Sequence, residues 1–148
     1  MKKTTLENSN QVMVTETVEC TPGNLAELTA HCSTTVTNLT VTGTIDARDF
    51  KTMNEMSYLK VLDLSGATIE AYTGPAYLDF FHNGETITEF KNAIPAYAFY
   101  KPRDIEFMDL SFNDNLEIFI FPESAKSIGD SAFDGCSGLT GSLIIPAS

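Results

Sequence analysis

Two short stretches, Val61-Leu-Asp-Leu-Ser65 and Phe107-Met-Asp-Leu-Ser111, set one aspartate between apolar residues in the same order. Two carboxylates brought together are what glycoside hydrolysis requires, one as acid and one as base or nucleophile. Asp63 and Asp109 are the one pair worth naming for that chemistry. The rest of the chain offers little else. His31 and His82 are its two histidines, and no G-x-S-x-G, H-E-x-x-H, phosphate-cradling glycine loop or D-x-D-x-D-G calcium loop occurs. Cys20, Cys32 and Cys136 are odd in number and form no C-x-x-C, so neither a zinc knuckle nor a thioredoxin-type site is supported. Cys20 and Cys32 could pair in an exported protein; buried free thiols are the favoured reading, since free cysteine packs as a small hydrophobe. The expectation is a noncatalytic protein with no metal and no cofactor.

The elements that must carry Asp63 and Asp109 recur. The template apolar-x-x-apolar-x-apolar fits Val36-Thr-Asn-Leu39-Thr-Val41, Leu59-Lys-Val-Leu62-Asp-Leu64, Ile105-Glu-Phe-Met108-Asp-Leu110 and Leu116-Glu-Ile-Phe119-Ile-Phe121. Leu139, Leu143 and Ile145 fit with one residue inserted. The starts, 36, 59, 105, 116 and 139, are separated by 23, 46, 11 and 23 residues, so one period of 23 explains three gaps of four. Ile94-Pro-Ala-Tyr-Ala-Phe99 matches Ile128-Gly-Asp-Ser-Ala-Phe133 at a distance of 34, which contains the same stray 11. Parallel neighbours need a long crossover, so 105–110 and 116–121 cannot both be successive strands. The physical reading is a solenoid of short strands with alternating side chains, joined by helical or irregular returns, because one such unit cannot cover its own apolar face.

The match L-x-x-L-x-L-x-x-N at Ile105–Asn113 resembles the leucine-rich repeat family. Phe121-Pro-Glu-Ser-Ala-Lys-Ser-Ile-Gly-Asp-Ser-Ala-Phe-Asp-Gly-Cys-Ser-Gly-Leu139 is similar to the BspA-like (Treponema-type) repeat, with Phe-Pro for Ile-Pro and Ala125 for the usual valine. The resemblance spans about residues 36–148. It implies an α/β leucine-rich repeat solenoid with short parallel strands on a concave face. It also implies a surface or secreted protein of Bacteroidetes that mediates adhesion or protein–protein contact.

Residues between the template positions should then face outward: Thr40 and Thr42; Val61, Asp63 and Ser65; Phe107, Asp109 and Ser111; and Ile118, Ile120 and Pro122 if that segment is a face strand. Val61, Asp63, Ser65, Phe107, Asp109 and Ser111 are the candidate face for a protein or glycan ligand. The competing reading is that they are repeat consensus in a structural spacer or end-piece of a longer solenoid. Residues 67–93 are irregular and aromatic. Tyr72, Tyr77, Phe80 and Phe81 could form a binding loop there, but covering the core is favoured. Gly74-Pro75 and Asn83-Gly84 read as turns, the second as a hairpin.

Residues 1–10 are polar and expected to be disordered; 11–35 should form an N-terminal cap. In that cap Gln11–Val18 reads as a strand, and a helix starts at Thr21-Pro22 with Leu25, Leu28 and Cys32 on one face. Asp46 should cap a second helix with Phe50, Met53 and Met56 on its core face. The formal charge of −11 disfavours nucleic acid and anionic membranes as partners. No run reaches the ~18 apolar residues of a membrane helix, and Met1-Lys2-Lys3 has no apolar h-region after it, so no signal peptide is read. Ile145-Pro-Ala-Ser148 resembles the opening of a further unit. The chain should therefore end mid-repeat, with an apolar edge covered by more chain or by a second copy in a homodimer.

Overall fold

The computed structural model describes residues 12–76, 85–101 and 115–140. In them the protein is mixed α/β, with mostly short strands and few helices. Strands β1 (Thr15–Cys20), β2 (Asn38–Ile45), β3 (Val61–Asp63), β4 (Ala67–Ile69) and β8 (Ile118–Ile120) form one sheet in which every pairing is parallel. The order is β1-β2-β3-β8, and β4 extends the β3 side by pairing with the far end of β2. Thr15 faces Asn38 and Asn38 faces Val61, each 23 positions on. Val61 faces Ile118, so 116–121 carries the strand that follows β3 in the sheet. The 105–110 template lies outside the described residues.

The period-two alternation has the consequence expected of it. Val36, Leu39, Val41, Leu59, Leu62, Leu64, Leu116, Phe119 and Phe121 are all at most 2% exposed. Pro122 is a correction: it was expected outward, but it is buried. It lies two residues past the end of β8, where alternation no longer holds the side chain to a face.

Helix α1 (Leu25–Leu28) is shorter than expected and begins later than Thr21-Pro22. Gly23 has φ +84, a left-handed value that a helix running from Pro22 could not contain. Asn24 becomes the residue before the helix, and its Oδ1 accepts the Thr21 N–H at 2.9 Å. The first strand likewise sits at Thr15–Cys20, later than read. Helix α2 (Ala47–Asn54) does start after Asp46, with a reciprocal capping box between Asp46 and Asp49. Phe50 and Met53 are fully buried on its inner face; Met56, expected on the same face, is also fully buried but lies past the helix end, because Asn54 is its last residue.

The irregular segment contains β4 and an antiparallel hairpin, β5 (Tyr72–Pro75) with β6 (Thr86–Glu89). Gly74-Pro75 is therefore strand and not turn. Proline is tolerated because a two-stranded ribbon leaves an edge on which no N–H is required. Pro75 faces Thr86, and Asn83-Gly84, between the two strands, lies outside the described residues.

The two copies of the Ala-Phe motif lie side by side. Strand β7 (Ala93–Ile94) pairs in parallel with β9 (Ser127–Ile128), and Ile94 faces Ile128. Beyond them Tyr97, Phe99 and Lys101 donate backbone N–H bonds to Asp130, Ala132 and Asp134 at 2.9, 2.7 and 2.9 Å. Tyr97 and Ser131, at the same motif position, both take positive φ, 60 and 53. The equivalent phenylalanines Phe99 and Phe133 stack at 5.6 Å. Phe99 also meets Phe50 of α2 and Phe119 of β8 edge-on at 6.0 and 5.4 Å, so one aromatic cluster ties helix, sheet and both turns together. The C-terminal edge on which a dimer was expected, residues 141–148, lies outside the described residues.

Candidate functional site

The parallel register sets the outward residues of the sheet in columns. Thr15, Asn38, Val61 and Ile118 form one, and Thr17, Thr40, Asp63 and Ile120 the next. Neighbouring strands stand about 4.8 Å apart, so each column is a continuous row of side chains. Val61, Asp63 and Ser65 are half-buried, and Ile118 is 40% exposed. The face thus runs from hydroxyls and the exposed Glu19 carboxylate on β1 and β2, past Asp63 on β3, to an apolar end on β8. Such a surface offers hydrogen bonds and apolar contact.

Asp63 is held locally. Its Oδ1 accepts the Ser65 backbone N–H at 2.9 Å and the Ser65 hydroxyl at 2.7 Å, closing a turn after β3. Its lateral neighbours are Thr40 and Ile120, so neither supplies the second carboxylate that hydrolytic chemistry would need. Phe107, Asp109, Ser111, Tyr77, Phe80 and Phe81 lie outside the described residues. Tyr72 stands on β5, away from this face. Its ring lies 5.5 Å beneath the Arg48 guanidinium carbon, and its hydroxyl donates to the Pro75 carbonyl at 3.1 Å. Of the named candidates, Val61, Asp63 and Ser65 are thus brought together and Tyr72 is not with them.

Two polar clusters were not legible as such in the sequence. In the first, the buried Asp49 carboxylate accepts backbone N–H bonds from Gly23 (2.8 Å), Leu25 (3.0 Å) and Asp46 (2.9 Å). It joins α2 to the loop before α1. Burial pushes its pKa up against the opposing pull of those three bonds. Arg48 beside it forks onto Asp46, with Nη2 2.6 Å from Oδ2, and that bond raises its pKa. Cys20, buried next to this pair, is pushed up to about 12 by burial and then by the Asp49 charge. These groups tie α2 to the loop before α1.

In the second, Glu16 of β1, His31 and Cys32 converge, with Glu16 Oε1 3.3 Å from His31 Nε2 and all three ligand atoms within 4.8 Å of one another. His31 and Cys32 stand out in the sequence by residue type. Glu16 does not, because a strand brings it across 15 residues of chain. All three cysteines are free thiols. Among the described residues no helix is long and apolar enough to cross a membrane. No family model matches the chain, and no curated protein matches it either.

Proposed function

We propose that the chain is a noncatalytic binding module, a solenoid of the leucine-rich repeat type, which docks a protein or glycan ligand on the outward face of its parallel sheet. The observation that carries this reading is the ladder in which Thr15, Asn38 and Val61 stand side by side at 23-residue steps. Equivalent positions of successive units thereby form columns, the arrangement by which repeat proteins make extended binding surfaces. The resemblance of 121–139 to BspA-like repeats supports a place at the bacterial cell surface and a role in adhesion. A spacer is the second reading. The engagement of Asp63 with Ser65 favours it, because that carboxylate already serves the turn.

The test is binding of the immobilised chain to a glycan array and to a panel of matrix glycoproteins. The binding reading expects saturable capture of at least one probe. Clean negatives on both panels would leave the spacer.

A further inference from the structure

We propose that Glu16, His31 and Cys32 form a binding site for a divalent zinc ion. Three different ligand types converge from two elements, β1 and the turns that follow α1. Carboxylate, imidazole and thiolate together are the donor set of zinc. Calcium and magnesium take oxygen ligands almost exclusively, and a buried sulfur selects against them. The 3.3 Å between Glu16 Oε1 and His31 Nε2 is the separation of two ligands bound at about 2.0–2.1 Å to one tetrahedral ion. The third ligand atom lies within 4.8 Å of both, so closing the site needs little more than side-chain rotation.

The thiol of Cys32 carries a second, independent observation. Cys20 donates to the Thr21 carbonyl and to Asn24 Oδ1, and Cys136 donates to the Phe99 carbonyl. Cys32 is equally free of a disulfide and only 3% exposed, yet its sulfur donates to none of the described residues. A bound cation gives that sulfur the partner it lacks. The side chain of His31 is 63% exposed, so the ion has an open route in, and water completes the fourth position. Bound there, zinc would pin β1 to the segment after α1 on the side of the sheet opposite the outward columns. The site therefore rests on no assumption about ligand docking.

The test uses the whole chain, stripped of metal with a chelator, titrated first with zinc and then with cobalt as a spectroscopic substitute. The expected result is one equivalent of zinc bound, a higher thermal midpoint reversed by the chelator, and a cobalt spectrum with a thiolate charge-transfer band and strong four-coordinate visible bands. His31→Ala changes an exposed side chain and should fold normally. It should weaken zinc binding at least tenfold and abolish the thermal shift. Cys32→Ser should lose the charge-transfer band, whereas Cys136→Ser should keep it. Zinc binding unchanged in His31→Ala, a cobalt spectrum without the thiolate band, or no zinc binding by the parent chain would each overturn the proposal.

Discussion

Asp49 shows how much one side chain can hold. Its carboxylate is the acceptor for three backbone N–H groups, at Gly23, Leu25 and Asp46, that donate to no other group among the described residues. Asp49→Ala strands all three, at about 1 kcal/mol or more each, so a loss of about 3 kcal/mol is expected in urea unfolding. A loss under 1 kcal/mol would mean that water replaces the carboxylate. The same group makes a pH prediction. Its folded pKa is raised by burial above its unfolded value, so the folded state binds a proton more tightly than the unfolded one. Stability from this group is therefore fully present below the ordinary aspartate range and is lost as pH rises through the raised value. In Asp49→Asn the fall in stability between those two pH values should flatten relative to the parent; identical slopes would contradict it. None of this was readable beforehand. Asp49 was one residue inside a helix, and its partners lie 24 and 26 positions away.

At the scale of elements, the repeat template was legible because burial follows period-two alternation, and alternation survives in a single sequence. The likeness of Ile94–Phe99 to Ile128–Phe133 was legible for a related reason, since both copies need the same small residues and the same turn; their parallel pairing comes from the structure. Strand β5 was not legible, because Gly74-Pro75 carries turn chemistry that strand pairing overrode. The start of α1 moved because Gly23 takes a left-handed conformation, a turn that Pro22-Gly23 signals and that outweighs a helix start at Thr21-Pro22. Gly129 tests the motif pairing. A Cβ there would lie 2.4 Å from the Ala96 backbone nitrogen, in the seam between the two copies. Gly129→Ala should cost about 1–3 kcal/mol, with increased hydrogen exchange at the Phe99 and Lys101 amides that cross the seam. Unchanged exchange at both would show that the seam does not need the close approach.

For the whole molecule, the aromatic cluster is the joint. Phe99 is fully buried and touches the rings of Phe50, Phe119 and Phe133 from three separate elements. Phe99→Ala should destabilise by about 3–5 kcal/mol in denaturant unfolding, as truncation of a buried phenylalanine does. A loss under 1 kcal/mol would mean that helix, sheet and turns are stable without it. The ligand was never legible. Charge disfavours nucleic acid, but a face of threonines, two carboxylates, an asparagine, a valine and two isoleucines matches many surfaces. The most direct measurement is therefore a comparison of two variants for a probe captured by the parent chain. Thr40→Arg with Ile120→Arg places two long cations on the outward columns, while Lys126→Glu with Glu123→Lys alters exposed charge elsewhere. With both variants folded by circular dichroism, the outward pair should weaken capture at least tenfold and the other pair should leave it within twofold. Equal capture by both would contradict the assignment of the outward face as the binding surface.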